Sequence, residues 1–235
     1  MSGRILNRVV TDGLVLYLDA ANSISYVSGS TTWNDLSRNG NNGTLVNGPT
    51  FNSGNGGSIV FDGVDDRVSR NISIDTGQNF TVNAWIFPTL LGTTRRAVVG
   101  NSYPFSGRVG WLFCTAGSSI NNTFFMSIGA DISFRNAAAN TLSLNTWQYI
   151  TAIVSNGGGS ITLLKDGQAT NTATVGLTTG TITYTSPQFN VGFRDVSGTT
   201  DPYTGNISQV TIYNRALTQQ EVLQNYNATK GRYGL

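Results

Sequence analysis

The chain is cut into short apolar runs separated by Gly, Asn and Asp, and this punctuation persists from about residue 13 to about residue 214. Turn residues at that spacing leave no room for ordinary helices and mark antiparallel strands joined by tight connections. The run "NFTVNAWIFP" at 79–88 shows the period most clearly. Phe80, Val82, Ala84 and Ile86 fall on one face, and Thr81, Asn83, Trp85 and Phe87 on the other. Pro88 stops the strand because it has no N–H to donate. Both faces carry bulky apolar groups, so the second must meet a loop or another subunit.

The same reading places strands at "GLVLYLDA", "SIVFDG", "DRVSRNISI", "RRAVVGN", "GWLFCTA", "TFFMSIGA", "TWQYITAIVS", "SPQFNVGFR" and "YTGNISQVTIYN". Asp166-Gly167 suits a two-residue primed turn, which needs positive φ. Residues 22–57 read as a long ordered loop with strand pieces, anchored by Trp33, Leu36, Leu45 and Phe51. One helix is expected, at 217–229. Thr218 and Glu221 have capping-box spacing, Leu217 and Val222 that of a hydrophobic staple. Val222, Leu223 and Tyr226 form its narrow apolar stripe, and it is expected on the edge of the sandwich. The fold class is all-β: two antiparallel sheets in a jelly-roll sandwich with one short C-terminal helix, preceded by an arm at 1–12 and followed by a tail at 230–235 that is free or docks on a neighbour.

Composition narrows the functions. Only 11% of residues are charged and the net charge is +2, with Arg95-Arg96 the one adjacent basic pair. Nucleic-acid binders gather their cations on one face or in a run, so that class is set aside. No apolar run reaches membrane-spanning length and the first residues lack the apolar segment of a secretory signal. The chain contains no histidine and a single cysteine, Cys114 in an apolar context. That removes histidine-based nucleophilic schemes, ordinary zinc sites and an intrachain disulfide.

Five segments, "GLVLYLDAAN", "GSIVFDGVDDRVS", "FTVNAWIFP", "NTWQYITAIVSNGGGSITLLKDGQ" and "YTGNISQVTIYNRALTQQEV", resemble in order and spacing the laminin-G-like, concanavalin A-like jelly rolls over residues 13–229. "TTWNDLSRNGNNGTLVNGPTF" and the C-terminal "IYNRALTQQEVLQNYNATKGRYGL" are similar to versions found in structural proteins of tailed bacteriophages, those of cyanobacteria among them. The resemblance implies a non-enzymatic virion subunit, a head-decoration or tail- and fibre-associated protein assembled in the host cytoplasm. It would act as a homo-oligomer, with capsid or tail proteins as partners and surface glycans as further ligands. A lectin-like adhesin is the alternative. A β-glucanase is the third reading, but its relatives carry Glu-X-Asp-X-X-Glu, and this chain has one glutamate, Glu221, in a capping position. The family often has an aromatic after the paired acids where this chain has Arg67, so that strand edge is expected to differ.

Asp62, Asp65 and Asp66 stand out among twelve acidic residues. Two readings stay open for them: an Asx turn in which the carboxylates accept backbone N–H groups, or a calcium site, since calcium takes carboxylate and carbonyl oxygens. Asp201 is a further loop acid able to join such a site. No other cofactor is expected. Trp33, Trp111 and Trp147 are read as core anchors rather than a sugar platform. Ile5, Leu6 and Val9 make the arm apolar enough to pack on a neighbouring subunit, so removing residues 1–11 is expected to leave the fold intact and weaken assembly.

Overall fold

The computed structural model describes residues 8–70, 79–101, 110–117, 120–128, 133–136, 141–157, 159–174, 188–196 and 199–235. The strands are β1 (Leu14–Asp19), β2 (Thr32–Trp33), β3 (Gly43–Val46), β4 (Thr50–Asn52), β5 (Ser58–Asp62), β6 (Arg67–Arg70), β7 (Phe80–Pro88), β8 (Arg96–Asn101) and β9 (Trp111–Gly117). There follow β10 (Ile120–Ile128), β11 (Ser133–Asn136), β12 (Gln148–Ser155), β13 (Ser160–Lys165), β14 (Gln168–Thr174), β15 (Phe189–Val191), β16 (Asp195–Val196), β17 (Thr199–Thr200) and β18 (Thr204–Tyr213). The helix α1 (Gln219–Thr229) runs into a 3-10 turn, Lys230–Tyr233.

The first sheet has the order β14-β13-β12-β7-β18-β5-β4. The long β18 pairs β7 along one side and divides its other side: β5 takes Thr204 to Ile207, and β1 takes Gln209 to Tyr213. The second sheet has the order β11-β10-β9-β8-β15-β6-β3-β2. Strands distant in sequence lie side by side in both, as jelly-roll connections require. The face of β7 bearing Phe80, Val82, Ala84 and Ile86 is buried against the second sheet, and Phe80 meets Trp111 with ring centroids 5.4 Å apart. Trp33 and Trp111 are fully buried in this core. Asp166 and Gly167 both have positive φ, 52° and 78°, and close the β13–β14 hairpin as a primed turn.

The other face of β7 is covered by the chain's own C-terminus. The helix lies on the face of the first sheet, not on its edge, because Trp85 there demands cover. Trp85 is fully buried, its ring 4.1 Å from Tyr233, 5.2 Å from Tyr149 and 5.6 Å from Tyr226. Its indole N–H donates to Thr229 Oγ1 at 2.7 Å. The tail is neither free nor turned to a neighbour. Tyr233 donates to Ser208 Oγ at 2.9 Å, and Arg232 reaches both oxygens of the fully buried Asp19 at 2.7 and 2.8 Å.

The N-terminal segment is bound into the same layer from residue 8 onward. Asn225, 1% exposed, accepts from Val10 N–H at 2.8 Å and donates to Tyr213 Oη at 3.1 Å. Tyr213 in turn donates to Val10 O, and Gln224 to Arg8 O, each at 2.9 Å. Val9 is half-buried and lines the groove between this segment and the helix. Ile5 and Leu6 lie outside the described residues. Among the described residues no helix is long and apolar enough to cross a membrane.

Candidate functional site

Strand β5 ends at Asp62, and Gly63 turns the chain with φ of 83°. A β-carbon at Gly63 would collide with the Thr204 hydroxyl, so the turn needs glycine twice over. Asp62 Oδ1 accepts Val64 N–H at 2.8 Å, and Asp66 Oδ2 accepts Asp62 N–H at 3.0 Å. The first is the Asx bond of such a turn, and the second ties the two ends of the turn together. Asp65 Oδ2 accepts from Asn47 Nδ2 at 2.8 Å. One oxygen from each carboxylate lies within 4.8 Å of the others. Burial pushes the Asp66 carboxyl above the usual carboxylate range, partly offset by the Asp62 N–H, and the charges of Asp62 and Asp65 push the same way as burial. Among the described residues no arginine or lysine side chain forms an ion pair with the three. As a cation site the turn supplies three carboxylates of the about six to eight oxygens calcium takes, the rest falling to carbonyls and water.

Asp201 does not join them. Its carboxylate sits 2.6 Å from Arg194 Nε and 3.6 Å from Arg95 Nε. Burial raises its pKa while the two guanidinium groups oppose the rise. Arg67, in place of the family's aromatic, lays its guanidinium over the Phe193 ring, 5.5 Å from the centroid, and donates to Asp65 O at 3.2 Å.

Beside the acidic turn lies a polar cleft on the outward face of the second sheet. In the β3–β6 ladder Thr44 pairs with Ser69 and Val46 with Arg67, while Leu45 and Val68 point to the core. Alternation therefore sends Thr44, Val46, Arg67 and Ser69 outward together. Asn42, Arg70 and Gln188 complete a cleft of about 320 Å³. Asn190, next along the same face through its pairing with Ser69, is 4% exposed, and its Oδ1 has no hydrogen-bond partner among the described residues. No local motif marks this cleft, since its residues come from three separate stretches of sequence.

The remaining candidates are tied up elsewhere. Glu221 closes the capping box with Thr218 and is gripped by Arg215 at 2.6 and 3.0 Å. That pairing lowers its pKa to about 2, the wrong direction for a general acid. Trp147 is half-buried, stacks between Phe87 and Tyr233, and donates to Asn55. None of the tryptophans is an exposed platform. Burial holds the Cys114 thiol far above its ordinary pKa, so it is no nucleophile.

Solved structures share this architecture. Domain 4 of AbnA, a GH43 extracellular arabinanase from Geobacillus stearothermophilus in complex with arabinotriose, superposes with a TM-score of 0.67 at 17% identity, over 91% of this chain and 98% of that one. The botulinum neurotoxin serotype D ligand binding domain in complex with N-acetylneuraminic acid gives 0.65 at 14% identity, over 92% and 51%. Trypanosoma rangeli sialidase in complex with sialic acid gives 0.65 at 14%, over 94% and 33%. The chain thus spans about half of the neurotoxin domain and a third of the sialidase. No curated protein matches it by sequence. A family model described as the concanavalin A-like lectin/glucanases superfamily matches residues 62–223, from the acidic turn to the first turn of α1. That span holds most of both sheets together with β6 and Gln188 of the cleft, and the chain belongs to this superfamily.

Proposed function

We propose that this protein is a carbohydrate-binding module without catalytic activity, which holds its ligand in the cleft over β3 and β6. The observation that carries the reading is the cleft's chemistry. Hydroxyls (Thr44, Ser69), amides (Asn42, Gln188) and the Arg67 guanidinium converge on one open face. Such groups match the paired donors and acceptors of a sugar. Structural relatives described with arabinotriose and with sialic acid support the class of ligand. The absence of catalysis rests on Glu221, whose carboxylate is locked by Arg215 and Thr218, and on the acidic turn, where Asp62 and Asp66 each spend an oxygen on backbone N–H groups.

Glycan-array screening followed by calorimetry is the test. Binding that weakens at least ten-fold in Arg67→Ala and Ser69→Ala, with no release of reducing sugar, is the expected result. Binding indifferent to both substitutions, or hydrolysis of the bound glycan, overturns it. Calcium is proposed as an aid at Asp62, Asp65 and Asp66. Loss of binding in chelator, restored by calcium, supports that role, and indifference to chelator leaves these residues as a turn.

A virion subunit is the second reading, supported by the sequence resemblance and by a surface carrying few charges. Hundreds of copies per purified particle would mean head decoration, with shell proteins as partners. A handful would mean a fibre or neck position, where the glycan cleft would serve attachment. Absence from particles ends this reading and leaves the free module. Light scattering tests the homo-oligomer that goes with it.

A further inference from the structure

The two sheets end on the same side of the sandwich, at β4 in one and β2 in the other. Between these edges lies a cup of about 460 Å³, separate from the cleft. Strand β3 divides the two. Thr44 and Val46 face the cleft, while Leu45, packed against the core, contributes to the cup. The floor is apolar: Leu45 with the rings of Tyr26 and Phe51, whose centroids are 5.3 Å apart at 36°. Tyr26 spends its hydroxyl on Ser30 O at 3.0 Å, so it offers the cup only its ring.

The rim is hydroxylic. Ser28, Thr31 and Thr50 are exposed, and their hydroxyls make no hydrogen bond among the described residues. None of the lining residues carries a charge near neutral pH: the one ionisable group, the Tyr26 phenol, has its pKa raised by burial. A charged ligand would leave its solvation shell here with no counter-charge to replace it. The occupant that fits is uncharged, with an apolar face for the floor and hydroxyls for the rim. The size is in the range of small-molecule pockets, about 300–1,000 Å³.

We infer that the cup is a second saccharide subsite, one that takes the C–H face of a neutral sugar ring against Phe51 and Leu45 and its hydroxyls at Ser28, Thr31 and Thr50. The inference rests on the carbohydrate-binding reading for its class of ligand only; its location and its preference for uncharged sugars follow from the cup.

The test is NMR titration and calorimetry of the whole chain with neutral trisaccharides of glucose, xylose and arabinose. Phe51→Leu removes the ring and keeps an apolar filler. Thr50→Val removes an exposed hydroxyl at constant shape and guards against a packing defect in the first variant. Each is expected to weaken binding about three- to ten-fold, in line with the worth of an oriented aromatic or polar contact. Neutral-sugar binding lost in Arg67→Ala but not in the cup variants places the whole ligand in the cleft and overturns the subsite while sparing the module. Binding of acidic glycans alone has the same meaning. Failure of every glycan to bind overturns both. A concentration-dependent dimer whose formation Phe51→Leu abolishes assigns the cup to a second copy of this chain, which also refutes the subsite.

Discussion

Replacing Arg232 by Met tests whether the C-terminal turn is held by charge or only by packing. Asp19 is fully buried and accepts from Arg232 at 2.7 and 2.8 Å, Tyr17 Oη at 3.0 Å and Ala21 N–H at 3.0 Å. Among the described residues the only cation bonded to it is Arg232, whose side chain is 32% exposed. Removing one partner of a buried ion pair costs about 3–5 kcal/mol because the other charge stays behind. Water reaches Asp19 through the space Arg232 vacates, and the neutral donors Tyr17, Ala21 and Gln209 remain, so the expected loss is about 2–3 kcal/mol. For a chain of this size that is a fall in Tm of about 4–12 °C. Thermal and urea denaturation followed by circular dichroism measure it. Tryptophan emission reports the local effect, since Tyr233 next in sequence covers Trp85. The double variant Asp19→Asn, Arg232→Met should recover part of the loss, because asparagine still accepts from Tyr17 and Ala21 without a stranded charge. A single variant within about 0.5 kcal/mol of wild type, or a double-mutant cycle with zero coupling, refutes the reasoning.

Glu221→Gln removes the ion pair with Arg215 and should cost about 1 kcal/mol near neutrality, discounted for the exposure of both side chains. Because the folded pKa is depressed to about 2, that contribution is present above about pH 4.3 and fades as pH falls through 2, so the wild-type and variant stability curves should converge in acid. Asp66 has the opposite sign. Its folded pKa is raised, so the folded chain holds that proton more tightly, and its stabilising effect is lost as pH rises through the folded value. Asp66→Asn, whose amide oxygen can still accept Asp62 N–H, should therefore match or exceed wild-type stability at pH 7 in chelator; a loss above about 1 kcal/mol would contradict this. Deleting residues 1–11 removes Val10 and its two hydrogen bonds to Asn225 and Tyr213, so it should cost about 2 kcal/mol or more. Deleting 1–7 spares these hydrogen bonds, making it the cleaner test of an assembly arm.

The strands were readable because period-two alternation and turn chemistry are local. Phe80 to Phe87 sort onto two faces with no knowledge of their partners, and Asp166-Gly167 announces its own turn. The capping box was readable for the same reason. What the sequence concealed is non-local. Alternation shows that Trp85 needs cover but not that residues 229 and 233 supply it. The buried stripe of α1 is Val222, Asn225 and Thr229, two of them polar. Only contact with Tyr213, Val10 and Trp85 makes their burial favourable, so an apolar-stripe reading picked Leu223 and Tyr226 instead. The cleft was invisible because β15, β6 and β3 become neighbours only through the jelly-roll order.

The same sheet order bears on where a ligand can sit. The outer face of the first sheet is covered around Trp85 by the helix, the 3-10 turn and residues 8–12, and several of its polar groups bond one another: Asn83 bonds Thr211 and Thr151 at 2.9 and 2.8 Å, and Gln209 bonds Tyr17 at 3.2 Å. On the second sheet, Ala97, Leu112, Cys114 and Phe125 form a separate buried patch on the strands β8 to β10. Among the described residues, the stretch over β6 and β3 stays open, together with the edge those strands share with β2 and the groove between residues 8–12 and the helix. The stretch over β6 and β3 carries hydroxyl, amide and guanidinium groups where a merely solvated surface needs only scattered charges. A fold that ties Asn83 and Asn225 to its own atoms, yet leaves Thr44, Ser69 and Gln188 along an open cleft, keeps free hydrogen-bonding capacity where a sugar hydroxyl can reach.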